Sequence, residues 1–162
     1  MVFRAAVPEE AGAILALYRS VLGTPFCVWD EEYPGMTQIR EDLATDSLFV
    51  LTEGDALVGA ISVVPENELD ELPFWQCPKP AREFARVVIA RDWQGKGLAA
   101  RLVENIEKVI RSRGAQAVHI LVAVGNIPAD RTYRKLGYRE MGRCFMFGHD
   151  YYALEKRLED IN

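Results

Sequence analysis

Cysteines, basic residues and long apolar runs are all sparse in this sequence. Its three cysteines, Cys27, Cys77 and Cys144, stand far apart with no CxxC spacing, so neither a disulfide framework nor a zinc site is indicated. They read as ordinary thiols, and no metal is expected. No stretch approaches the roughly 20 consecutive apolar residues of a membrane-spanning helix, and Met1 to Ala6 lacks the charged, apolar and small-residue regions of a signal peptide. A cytoplasmic protein without a membrane partner is therefore expected. Basic residues are outnumbered by acids, 19 to 24, and no lysine-arginine stripe appears, which argues against a nucleic-acid partner. A cationic or amine-bearing substrate suits that balance better.

What the sequence does have is enough apolar material, 49% of 162 residues, to bury one sizeable core, so a single domain over 1–162 is expected. Val2 to Ala6 reads as a strand, and Pro8, Glu9 and Glu10 open a helix whose apolar face runs from Ile14 to Leu22, with Gly23 as its stop. A loop rich in aromatics and acids follows from Thr24 to Gly35, then a short helix from Thr37 to Ala44. Ser47 to Thr52 and Ala56 to Val64 are β-rich runs around Glu53-Gly54-Asp55 and predict a hairpin. Pro65 to Pro80, with Glu66, Glu68, Asp70 and Glu71, reads as a loop over a surface or cleft.

Phe84 to Ala90 is near-continuously apolar, as in a central strand covered on both faces. It runs straight into Gln94-Gly95-Lys96-Gly97, after which Leu98, Leu102, Val103, Ile106, Val109 and Ile110 repeat at helical spacing as far as Gly114. Ala117 to Val124 predicts another buried strand, Asn126 to Leu136 a short helix closed by Gly137, and Tyr138 to Phe147 with Tyr151 to Leu158 two strands around Gly148-His149-Asp150. The order is that of one layered α/β (α+β) domain.

A strand that passes through a glycine turn into a helix aims unpaired N–H groups and the helix dipole at any anion in front of it. Gly95 and Gly97 let a phosphate approach the backbone, and Lys96 adds charge. Two glycines between a strand and a helix can also serve the turn alone. The lysine is not followed by Ser or Thr, and no GxGxxG is present, so neither a Walker A loop nor a dinucleotide fingerprint is indicated.

Gln94 to Ala99 resembles the Q/R-x-x-G-x-G/A pyrophosphate loop of the GNAT superfamily of acyl-CoA-dependent N-acetyltransferases. Asn126, Ala129, Tyr133, Gly137 and Tyr138 resemble its second pattern, N-x-x-A-x-x-x-Y-x-x-x-G-F/Y, in the right order downstream. That resemblance covers nearly the whole chain outside Thr24 to Ala44 and Pro65 to Pro80. It implies a central mixed, mostly antiparallel sheet of about six to seven strands flanked by helices on both faces, with acetyl-CoA as cofactor.

The implied activity is transfer of an acetyl group to a primary amine of a small molecule or peptide, by direct attack in a ternary complex. The resemblance puts the coenzyme against the backbone of Val87, Val88 and Ile89, the loop Gln94, Gly95, Lys96, Gly97, Leu98, Ala99 and Ala100, and Asn126 and Tyr133. Tyr133 is implied as proton donor to the leaving sulfur, or else a packed core residue. Asn126 is also a natural helix cap.

Glu83 is the candidate base, against a water chain or a merely exposed acid. Trp29, Glu32 and Tyr33, together with the acidic and aromatic loop at 65–80, occupy the positions of family acceptor sites. His119 reads as a packed or surface residue and His149 as a turn residue. A non-catalytic coenzyme A-binding or sensing module is the alternative, an unrelated phosphate-binding interaction domain a remoter one, and a homodimer is left open because dimers are common in the family.

Overall fold

Alternation and helical spacing sort the chain into seven strands and four α-helices in a computed structural model that describes residues 1–65 and 68–159. The strands are β1 (Val2–Ala5), β2 (Leu48–Glu53), β3 (Ala56–Val64), β4 (Ala81–Ile89), β5 (Ala117–Ala123), β6 (Arg139–Met146) and β7 (His149–Arg157). The helices are α1 (Ala11–Ser20), α2 (Met36–Ala44), α3 (Leu98–Ser112) and α4 (Ile127–Lys135). One mixed sheet runs in the order β1-β2-β3-β4-β5-β7-β6. Every neighbouring pair is antiparallel except β4 with β5, which is parallel. No helix of the described residues is long and apolar enough to cross a membrane.

Both faces are covered, as the near-continuous apolar character of the central strands requires. On one face α3 buries Leu98, Leu102, Val103, Ile106 and Ile110 against Leu51, Ile61, Phe84, Val118 and Ile120. Each such side chain contributes about 1.5–3 kcal/mol relative to its exposed state. On the other, α1 and α2 pack Ile14, Leu17, Tyr18 and Ile39 on Val50, Ala60 and Val88. These helices contact β2, β3 and β4. Over β5, β7 and β6 the covering comes instead from the segment before β4. Trp75 stacks on His119 at 3.9 Å and 8°, and Phe74 lies flat enough on Gly142 that a Cβ there would come within 2.6 Å of its ring.

Several boundaries differ from the sequence expectation for local reasons. The first helix closes at Ser20, because Leu22 N–H donates to Arg19 and Thr24 N–H to Val21, tightening the chain before Gly23. β4 starts at Ala81, not Phe84, since Ala81–Glu83 forms the parallel ladder with Ala117–His119 despite two charged residues. The last hairpin turns on Phe147 and Gly148 alone, both at positive φ (54° and 80°), the backbone that a two-residue hairpin loop needs. Glu66 lies outside the described residues.

Gly59 marks the tightest packing on the α3 face. A Cβ there would sit 2.8 Å from the Val88 carbonyl oxygen and 2.9 Å from Ile89 Cδ1. Gly59→Ala should therefore destabilise the domain by about 1–3 kcal/mol through overpacking. Urea unfolding followed by circular dichroism checks this, and an unchanged midpoint would show that β3 and β4 can separate freely.

Candidate functional site

The ladder between β4 and β5 stops early. Pairing is confined to Ala81–Glu83 and Ala117–His119, while β4 continues to Ile89 and β5 to Ala123. Ala90 N–H donates to the Val58 carbonyl and Val88 is opposite Ala60, so by alternation the backbone groups of Val88 face β3 and those of Val87 and Ile89 face the gap. The Ile89 carbonyl is taken by Gln94 Nε2 at 3.0 Å. Left on the open edge are the Val87 N–H and C=O and the Ile89 N–H. Of Val87, Val88 and Ile89, the first and last thus present backbone donors, and Val88 contributes a buried side chain to the α1/α2 face.

At the end of that edge the turn into α3 has the form that the sequence predicts. Gly95 and Gly97 both lie at φ 77°, a conformation that costs other residues strain, and Gly97 is the α3 N-cap. Arg101 N–H, bonded to the Gly97 carbonyl, is the first donor of the helix. Among the described residues no backbone carbonyl accepts from the N–H groups of Gly95, Lys96, Gly97, Leu98, Ala99 or Ala100. A Cβ built on Gly95 or Gly97 meets nothing within 4 Å, so the space before these donors is open. Lys96 Nζ is held 5.1 Å from the Trp93 ring centre. Six N–H groups without a backbone acceptor, a helix dipole and a neighbouring ammonium fit a pyrophosphate.

Tyr133 comes from α4 and packs edge-on against Phe84 at 5.5 Å and Tyr138 at 6.2 Å. It is 7% exposed, and burial raises its phenol well above the ordinary range, so the hydroxyl stays a proton-bearing donor. Asn126 caps α4, its Oδ1 accepting from Ala129 N–H at 3.4 Å. Glu83, half-buried, is opposite His119 in the ladder. Phe84 beside it faces Tyr133, so alternation turns Glu83 to the α1/α2 side.

His119 is a packed residue, 1% exposed. Its Nε2 meets Glu155 at 3.0 Å and its Nδ1 lies 3.6 Å from Asp70. Burial lowers its pKa, against the pull of the Glu155 carboxylate. Glu155 also accepts Gln76 and Cys77 N–H, each at 3.0 Å, and thereby ties the loop before β4 to β7. His149 pairs with Met146 at the exposed hairpin end.

The acceptor-loop candidates divide. Trp29 is half-buried and edge-on to Tyr18 at 5.5 Å. Glu32 and Tyr33 are exposed, and Tyr33 reaches the sheet through its hydroxyl, which accepts from Arg86 Nη1 at 3.2 Å. Sequence reasoning missed the Arg86–Asp42 pair. Asp42 of α2, 5% exposed, receives Arg86 Nε and Nη2 at 2.9–3.2 Å and the Ser62 hydroxyl at 2.8 Å. The signal was available: one arginine stands inside the otherwise apolar run from Phe84 to Ala90.

Comparison with known proteins agrees with this fold. The profile of the Acetyltransferase (GNAT) family matches residues 14–138. A GNAT-family acetyltransferase from Streptococcus agalactiae superposes with a TM-score of 0.81 at 22% identity, over 98% of this chain and 96% of that one. A ribosomal-protein-alanine N-acetyltransferase from Brucella melitensis gives 0.77 at 20%, over 98% and 100%. A putative acetyltransferase from Salmonella typhimurium, solved with its cofactor acetyl-CoA, gives 0.75 at 18%, over 100% and 96%. No curated protein matches the sequence significantly. With the family profile spanning the second strand's flanks, the open β4 edge and the glycine turn alike, the chain belongs to the GNAT family of acetyltransferases.

Proposed function

We propose that the protein transfers an acetyl group from acetyl-CoA to a primary amine of a small molecule or peptide, by direct attack while both are bound. The observation that carries this reading is two sets of backbone donors without a backbone acceptor, Val87 and Ile89 on the open edge and Gly95–Ala100 in the turn, with the bonded N–H groups of Ala90, Trp93 and Gln94 between them. The turn would hold the pyrophosphate, the Val87 and Ile89 edge the pantetheine amides, and Asn126 the arm beside α4. Bound there, acetyl-CoA supplies an activated thioester.

The chain's own groups then have distinct tasks. Glu83, on the α1/α2 side, accepts the proton that the amine must lose to become a nucleophile. An edge N–H of β4 polarises the acyl carbonyl. The Tyr133 hydroxyl donates to the sulfur as negative charge builds there. Trp29, Glu32 and Tyr33 line the acceptor side, and the exposed acids Asp30, Glu31 and Glu32 favour a cationic amine. Thiol release from acetyl-CoA measured with polyamines, amino acids, aminoglycosides and peptides tests this reading against a sensing module: tight binding with no turnover on any amine would favour the sensor.

Two substitutions separate binding from chemistry. Gly97→Glu places a carboxylate and bulk in the cradle at a left-handed position, and should abolish saturable acetyl-CoA binding in calorimetry; retained affinity would remove the pyrophosphate from this turn. Tyr133→Phe should lower kcat on the order of 10²-fold with the acetyl-CoA Kd within about twofold. Because burial raises the Tyr133 phenol, its protonated, donating form persists as pH rises through the ordinary tyrosine range. The wild-type rate should therefore show no fall attributable to Tyr133 near pH 10, and a wild-type fall there that Tyr133→Phe removes would contradict the buried-donor role.

A further inference from the structure

Arg86 stands where β4 gains a residue. Three steps from Ala85 to Val88 oppose two from Ser62 to Ala60, and Arg86 takes up the difference at φ 54°. The consequence is directional. Phe84, Val87 and Ile89 face α3, and the bulge turns Arg86 to the opposite side, where Asp42 of α2 holds it by two nitrogens. A non-glycine residue kept in the left-handed region implies that its surroundings fix it. Here they do so through a buried ion pair, with side chains 11% and 7% exposed.

The guanidinium has one further use. Its Nη1 donates to the Tyr33 hydroxyl at 3.2 Å, and Tyr33 belongs to a loop braced from within. Asp30 Oδ1 accepts both Glu32 N–H at 2.8 Å and Tyr33 N–H at 2.9 Å, and Asp30 N–H donates to the Tyr33 carbonyl at 3.1 Å. Fixing that hydroxyl therefore fixes the whole turn. Arg86 also lies in the part of β4 that has no partner in β5, and Tyr33 stands close enough to Tyr151, the β7 residue opposite Ala123 of β5, to add to the burial that raises the Tyr151 phenol; the anchored ring thus borders the gap on the face opposite Tyr133.

We propose that Arg86 is a positioning residue for acetyl transfer: clamped by Asp42, it pins Tyr33 beside the β4/β5 gap, where the ring forms the acceptor-side wall and keeps water from the thioester. This rests on the reading that the gap holds acetyl-CoA. Asp42 neutralises Arg86, so the guanidinium acts through geometry and not as an anion site. Excluding water while admitting the amine is what such a wall contributes to a transferase.

The test uses the full chain, Tyr33→Phe, and a double variant of Asp42→Asn with Arg86→Met, which removes both charges without stranding either in the interior. Each protein is measured for acetyl-CoA Kd by calorimetry, for thiol release from acetyl-CoA in water alone, and for spermidine acetylation. Expected for both variants are an acetyl-CoA Kd within twofold of wild type and at least threefold faster thiol release in water. Where spermidine is turned over, its KM should rise more than kcat falls. Water release unchanged in Tyr33→Phe overturns the proposal, and this arm decides even where spermidine is not a substrate or the double variant does not fold. Failure of the wild type to bind acetyl-CoA would instead contradict the cofactor reading.

Discussion

The parting of β4 from β5 is the constraint on which the rest of the structure depends. Backbone N–H and C=O groups in a protein interior are almost always paired, and a ladder that stops at Glu83 and His119 leaves such groups on β4 for something outside the chain. The fold tolerates this because β4 is tied on its other edge to β3 at Glu83–Ala85 and Val88–Ile89, and because α3 and α4 on one side and α1 and α2 on the other hold the apolar faces together. Stability is thus lodged in the side-chain layers, and the central backbone is free to serve as a binding edge.

The proposed chemistry then follows from which side of the sheet each residue takes. Alternation, stepped by one residue at the Arg86 bulge, puts Phe84, Val87 and Ile89 with Tyr133 on the α3 side, and Glu83 on the other. A one-residue bulge adds Arg86 to that second side. A ligand threaded along the open edge would meet a buried phenol from one direction and a carboxylate from the other. Such a division suits a reaction in which one group must lose a proton and another must gain one. Gln94 joins the open edge to the glycine turn, since its side chain donates to the Ile89 carbonyl while its backbone begins the turn.

Much of this was legible in the sequence, and the reasons are local. The glycine turn, the α3 periodicity and the β2–β3 hairpin each follow from short-range rules, so their places needed no tertiary knowledge. The helix that carries Tyr133, with Asn126 as its cap, was placed because the spacing of those residues matches a pattern. What escaped was tertiary. The start of β4 was hidden by Arg82 and Glu83, which are held in the strand by pairing with β5 and not by propensity. The Arg86–Asp42 bond joins residues 44 positions apart, beyond any local signal, although a lone arginine in an apolar run hinted at it. Likewise His119 was expected to be packed or exposed, but its acidic partners, Glu155 and Asp70, arrive from β7 and a distant loop.

The central claim, that the open edge of β4 binds the cofactor arm through its backbone, predicts a pattern with residue resolution. Amide hydrogen exchange should slow on addition of acetyl-CoA at Val87 and Ile89 and across Gly95–Ala100, while Val88, already facing β3, stays as it was. Equal protection of all three strand amides, or none at Val87 and Ile89 under saturating acetyl-CoA, would contradict it.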